Sequence, residues 1–196
     1  MNFNSVEFSA FFVCVLVLYT VVFYRERWRD VLLLAASYFF YMSWNWKYAG
    51  LLAFSTIVDY SVGLVLAREQ RPRARTYILI ISLTSNLGLL ALFKYYNFFI
   101  ELSGPAIAMF GWDLSLLRHE LLLPVGISFY TFQTMSYTID VYRGERVLER
   151  NFLKFAVFVA FFPQLIAGPI VRAKQFLPQL DHLPNVSAER FQGGLL

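Results

Sequence analysis

Six apolar stretches follow one another along this 196-residue chain, each long enough or nearly long enough to cross a bilayer as a helix. They are Phe8–Phe23, Val31–Trp46, Tyr48–Leu66, Tyr77–Ile100, Leu121–Tyr142 and Phe152–Val171. A hydrocarbon core about 30 Å thick is crossed by roughly 20 helical residues rising about 1.5 Å each. Backbone polar groups in lipid must be satisfied inside helices or closed barrels, and these runs lack the strict alternation of barrel strands. The expected fold is all-α, a polytopic transmembrane helical bundle of about five spans plus a sixth segment that either spans or re-enters.

The composition fits such a bundle. Charged residues make up 15% of the chain, against about 25% in soluble domains. Aromatic residues reach 19%, which suits interfacial anchoring. The net charge of +4 is not gathered on one surface but divided among short loops, so no nucleic-acid partner is expected. The single cysteine, Cys14, lies within the first stretch and excludes a disulfide framework or a cysteine metal site. Residues Met1–Glu7 carry no basic residue and no small-residue cleavage site closes the first stretch, so it is expected to remain as a signal anchor.

Basic residues set the orientation. Arg25, Arg27 and Arg29 follow the first stretch, Arg68, Arg71, Arg73 and Arg75 the third, and Arg143, Arg146 and Arg150 the fifth. The intervening turns hold Lys47 alone and Arg118 alone. The positive-inside rule makes the arginine-rich loops cytoplasmic and places the N-terminus outside. The sixth stretch breaks this alternation, because Lys154 precedes it and Arg172 and Lys174 follow it. Pro163, Gly168 and Pro169 interrupt it, and each proline removes a backbone donor. We expect it to dip in and return, the alternative being a crossing with an unusual basic flank. Irregular backbone at membrane depth requires surrounding protein or a water-filled cavity, so the segment is a candidate cavity lining.

Polar residues inside apolar helices are costly and mark contacts or function. Asp59 falls in the third stretch and Lys94 in the fourth, about 17 Å and 10 Å from the outer face if both helices are regular. Either they pair, or Lys94 reaches the surface while Asp59 caps a neighbour. In the fifth stretch Gly126, Tyr130, Gln133, Tyr137 and Asp140 recur at intervals of four and three, which aligns them on one helix face. Such a stripe serves either helix–helix hydrogen bonding or the lining of a substrate or water cavity. Signatures of soluble enzymes (phosphate-binding glycine loops, zinc-binding histidine pairs, nucleophile elbows) do not occur, and no metal site is expected. His119 and His182 both lie in connecting segments, where a surface position is expected.

Two longer motifs carry a family resemblance. The runs LPVGISFYTFQ (123–133) and SYTIDVYRG (136–144), with FFPQLIAGPIVR (161–172), resemble the signature of the membrane-bound O-acyltransferases. Weaker echoes are SYFFY (37–41), VDY (58–60) and FKYYN (93–97). The chain is most similar to the alginate O-acetyltransferase branch, which also includes cellulose and peptidoglycan acetylation proteins and the D-alanyl transfer protein of teichoic acids. The resemblance covers essentially the whole chain.

What it implies is a bundle of roughly a dozen helices around a tunnel. An acyl donor, acetyl-coenzyme A or an acyl carrier, would approach from the cytoplasm as a substrate, with no bound cofactor. The acyl group would pass to an exported polysaccharide such as alginate, or to a partner protein on the outer side, across a bacterial inner membrane. Gly126, Tyr130, Gln133, Tyr137, Asp140, Pro163, Gly168 and Pro169 become tunnel-lining candidates. Arg172 and Lys174 become candidates for the donor's phosphates, or else simple positive-inside anchors. The family's histidine, a general base or acyl relay, sits in a tryptophan-histidine-glycine context that neither His119 nor His182 shares. It is expected beyond residue 196, so that residues 1–196 form the N-terminal part of one membrane domain, inactive alone. Two readings from other classes are a transporter, which would need a second copy of the Pro163–Pro169 break, and a non-enzymatic assembly subunit of an export system.

Overall fold

The computed structural model describes residues 5–22, 25–104, 124–145, 148–165 and 168–181. Among them every regular element is helical. Helix α1 spans Val6–Val22 and α2 spans Glu26–Asn45, followed by a 3-10 turn, Trp46–Tyr48, and by α3, Ala49–Arg68. Helix α4 spans Pro72–Leu102, α5 Ile127–Tyr142 and α6 Phe152–Ala160. A short α7, Phe162–Leu165, and a final α8, Ala173–Asp181, complete the order.

Local chemistry places the boundaries. Asn45 Oδ1 accepts the Lys47 amide at 3.1 Å and turns the chain between α2 and α3. Glu69 Oε1 takes the amides of Gln70 and Arg71 at 3.0 and 2.9 Å, and Pro72 then opens α4 at a position where a missing N–H costs nothing. Asn151 caps α6 by accepting the Leu153 amide at 3.0 Å. The stretches Glu26–Arg68, which is α2 and α3 together, and Pro72–Tyr96 are long and apolar enough to cross a membrane. At 20 residues each, α2 and α3 are about 30 Å long.

Helix α5 packs against α3 and α4, α6 wedges between α2 and α3, and α1 lies on α2. Arg75 shows which helix ends lie together. Its Nη1 donates to the Leu66 and Glu69 carbonyls at 2.5 and 3.1 Å, and its Nη2 to those of Val141 and Tyr142 at 3.3 and 2.7 Å. One guanidinium therefore satisfies orphan carbonyls at the C-termini of both α3 and α5. Sequence reading put Arg75 in a loop, but it lies in the first turn of α4 and is consumed by this clamp.

Arg29 is a second such correction. It sits inside α2 with no exposed surface, donating to the Leu180 carbonyl of α8 and to Asp30 Oδ1 at 3.4 Å. The same end holds the Lys154–Asp181 ion pair and the Lys174–Glu145 pair at 3.3 Å. Both ends of the segment 152–172 therefore lie at the arginine-rich end of the bundle. Helix α6, nine residues and about 14 Å long, is too short to cross a hydrocarbon core. Helix α8 closes that end with Ala173, Phe176, Leu177 and Leu180 buried along one face.

The fifth stretch also differs in its start. Helix α5 begins at Ile127, not at Leu121, and residues 121–123 lie outside the described ones. Gly126 precedes the helix with φ +77°, so it caps α5 instead of lying on its face.

Candidate functional site

The site is built around a broken helix. In FFPQL, Pro163 has no N–H to give, and Phe161 leaves the helical region with ψ 104°. In an unbroken helix the Phe162 amide would donate to the Phe158 carbonyl. Here each group finds a side chain from a different neighbour. The Phe162 amide donates to Ser37 Oγ of α2 at 3.2 Å, and the Phe158 carbonyl accepts from Gln133 Nε2 of α5 at 2.7 Å. This is how irregular backbone is tolerated among apolar helices. Gln133 was legible as part of the polar stripe, whereas Ser37 was not, since one serine in an apolar run carries no positional signal.

We expect Gln133→Ala to cost about 1–3 kcal/mol by leaving a buried carbonyl unpaired. Ser37→Ala should cost less, because its bond to the Phe162 amide at 3.2 Å is longer than the 2.7 Å bond from Gln133. Thermal melts of the two variants in detergent check this order.

The other stripe residues share the buried face. Tyr130 and Tyr137 are fully buried and Asp140 nearly so. The Tyr137 ring lies 4.7 Å from that of Phe155 and presses on Gly63 of α3, where a Cβ would collide with it. Its hydroxyl accepts the Glu149 amide at 3.3 Å. The Tyr130 hydroxyl neighbours that of Tyr41, but among the described residues neither meets hydrogen-bond geometry, and Thr131 Oγ1 and Asp140 Oδ2 are likewise unpartnered. The stripe thus divides: Gln133 and Tyr137 tie helices together, while Tyr130 and Asp140 leave buried polar atoms open along one face of α5.

Pro163 and Pro169 are exposed, and Gly168 lies where a Cβ would strike Gln164. On the side away from α5, Phe161–Gln164 borders an apolar cavity of about 480 Å³ between α1, α2 and α8. Arg172 is exposed, its carbonyl accepting amides at the start of α8, and the Lys174 ammonium is engaged by Glu145. His119 and His182 lie outside the described residues.

Asp59 does not pair with Lys94. Its carboxylate accepts from Ser82 Oγ at 2.7 Å, from Asn86 Nδ2 at 2.8 and 2.9 Å and from Thr138 Oγ1 at 3.5 Å, and Ser55 Oγ donates to Asn86 Oδ1 at 3.1 Å. Three helices, α3, α4 and α5, meet at this carboxylate. Lys94 lies eight residues past Asn86, about 12 Å along α4, with its ammonium 5.4 Å from the Tyr95 ring centre. Ser82 and Asn86 were not singled out from sequence, although their i, i+4 spacing puts both on one face. Among the described residues no group of histidine, cysteine and acidic side chains could hold a metal ion.

The chain is 43% identical over 170 residues to the probable alginate O-acetylase AlgI of Pseudomonas aeruginosa, covering 86% of this chain and 32% of that protein. This similarity is consistent with the membrane-bound O-acyltransferase family. The AlgI of Azotobacter vinelandii is 42% identical over 157 residues, covering 80% of this chain and 31% of the relative. A peptidoglycan O-acetyltransferase of Helicobacter pylori is 34% identical over 177 residues, covering 78% and 33%. The chain therefore spans about a third of the length of the curated relatives it matches. No family model matches it, and no solved structure matches it significantly. The broken helix and the α5 stripe both fall inside the two motifs that carry the family resemblance.

Proposed function

We propose that the protein is a multi-pass acyltransferase of a bacterial inner membrane, with its N-terminus outside and its arginine-rich end in the cytoplasm. An acetyl or related acyl group arrives there on coenzyme A or a carrier and leaves on an exported polysaccharide, or on an outer-side partner that modifies it. The identity to alginate and peptidoglycan acetyltransferases over most of this chain carries the reading.

The surface supports the membrane setting. Val13, Val17, Val21, Ile80, Ile81 and Phe99 are exposed while Asp59, Ser82, Asn86 and Thr138 are buried, a distribution suited to hydrocarbon and unsuited to water. The basic helix ends fit a cytoplasmic face. In this scheme the returning segment 152–172 and the open polar atoms of α5 form part of the wall along which the acyl group passes, and catalysis itself is not assigned to any described residue.

The test is transfer in proteoliposomes holding the intact protein, with acetyl-labelled coenzyme A or an acetyl-charged carrier on the side of the arginine-rich loops. Label is expected on an acetylatable polysaccharide, or on an acceptor partner, presented on the opposite side. No transfer from either donor to either acceptor would overturn the reading.

A further inference from the structure

We propose that Arg68 and Arg150 form an anchor for the phosphate of the acyl donor, an inference that rests on the acyltransferase reading above. The two residues are 82 positions apart in sequence, one ending α3 and one preceding α6, yet they line the same polar pocket of about 280 Å³ with Tyr60, Leu64, Ala67 and Leu148. The Tyr60 hydroxyl donates to the Arg150 carbonyl at 2.5 Å and pins that backbone against α3.

Arg25, Arg27, Arg143 and Arg172 are exposed at this end as well, so the shared pocket singles out Arg68 and Arg150, while several other basic side chains are already engaged. Arg75 is consumed by four carbonyls, Arg29 by Leu180 and Asp30, Lys154 by Asp181 and Lys174 by Glu145. The two acidic neighbours in sequence are turned away, Glu69 onto the amides of Gln70 and Arg71 and Glu149 onto the amide of Asn151. Neither Arg68 nor Arg150 has an ion pair among the described residues, and both side chains are exposed. Arg71 and Arg73 also border a surface hollow, but both come from the single stretch that opens α4, so no second element closes around a ligand.

Two arginines without ion pairs, from separate elements and lining one small polar pocket, suit a group with several anionic oxygens and little bulk. Each can place paired donors on a phosphate. Coenzyme A and a carrier's phosphopantetheine arm both bear that phosphate, and both would present it at this end while the thioester reaches inward. The geometry moves the anchor away from Lys174, whose charge Glu145 already meets.

Calorimetry on the protein in nanodiscs of neutral lipid tests the assignment, with coenzyme A, 4′-phosphopantetheine and phosphate-free pantetheine as probes. Arg68→Gln with Arg150→Gln is expected to weaken both phosphate-bearing probes by roughly tenfold per arginine and to leave pantetheine unchanged. Arg71→Gln with Arg73→Gln, which removes equal charge at the same end, should change affinity less than about twofold. Equal weakening by both double variants would reduce the effect to the general field and overturn the anchor. So would coenzyme A binding no tighter than pantetheine, or a pair of arginines whose loss alters only retention of anionic lipid. If acetyl transfer in proteoliposomes persists in the Arg68→Gln, Arg150→Gln variant with an unchanged KM for the donor, the anchor falls while the acyltransferase reading stands. If no donor supports transfer even in the parent protein, that reading falls first.

Discussion

Asp59→Leu is expected to destabilise the protein by about 2–5 kcal/mol, because it strips the acceptor on which three helices converge. Ser82, Asn86 and Thr138 all donate to this carboxylate. Hydrogen bonds between helices in membranes are worth roughly 0.6 kcal/mol on average and up to about 1.7 each. The contacts from Ser82 and Asn86 are short, and the one from Thr138 at 3.5 Å is weak, so the sum lies in the middle of that range. The loss also leaves the Asn86 amide and the Ser82 hydroxyl without their acceptor in a place that water does not reach.

A double-mutant cycle separates these causes. Asn86→Leu alone strips the carboxylate of its two bonds from Asn86 while Ser82 and Thr138 still donate, but Asp59→Leu with Asn86→Leu removes both partners. The pair is therefore expected to cost clearly less than the sum of the single changes. Melting curves in detergent report the difference, and strict additivity would show that the two residues do not stabilise one another. Lys94→Met should lie within about 0.5 kcal/mol of the parent, as for a surface residue away from any buried partner. A large effect of Lys94→Met that vanished in the Asp59→Leu background would instead restore the ion pair that the geometry excludes.

The contrast between Asp59 and Lys94 shows what a linear sequence conveys about a chain of this kind. Apolar run length gave the helices to within a few residues over most of the bundle, because the cost of exposed backbone in hydrocarbon fixes length. Position along the helix is legible too: Asp59 lies buried in the middle of α3. Rotation about the helix axis and the choice of neighbour are not. Hydropathy leaves both free when every face is apolar, so depth alone does not name Ser82 and Asn86 as the partners of Asp59.

The arginines illustrate the converse. Charge bias between loops correctly grouped the basic residues at one end, since that signal depends on side and not on contact. It could not distinguish Arg29 and Arg75, which serve orphan carbonyls at helix ends, from Arg68 and Arg150, which stay unpaired. That distinction rests on which helix termini meet, a property of the packing. The break in the segment 152–172, whose flanks both lie at one end of the bundle, is legible for a different reason. Two prolines and a flanking charge on the wrong side contradict a simple crossing, and such local conflict survives in the sequence. Its means of accommodation, with Ser37 and Gln133 each taking one half of a broken backbone bond, involves residues more than 20 positions distant.

Gly126→Ala is expected to be the most damaging glycine-to-alanine change among the described residues. Gly126 holds φ +77°, a left-handed conformation that costs an L-residue about 1–2 kcal/mol. Its position adds a second cost, because a Cβ there would run into the backbone carbonyl of Leu165. A flexible side chain could swing away from such a collision, but a carbonyl moves only with its backbone. Leu165 ends α7, the short helix whose entry is fixed by Ser37, so relief would displace the segment 152–172 as a unit. Overpacking of that kind adds roughly 1–3 kcal/mol, for a total of about 2–5 kcal/mol. Gly88→Ala supplies the control: it lies in α4 with nothing within 4 Å of an added Cβ, and alanine there should stabilise by about 0.5–1 kcal/mol. Melting curves of the two variants should therefore move in opposite directions. A Gly126→Ala protein as stable as its parent would mean that α5 and this segment do not approach closely at this turn. The acyltransferase reading adds a functional readout, since a displaced segment should lower transfer in membranes even at temperatures where the variant stays folded.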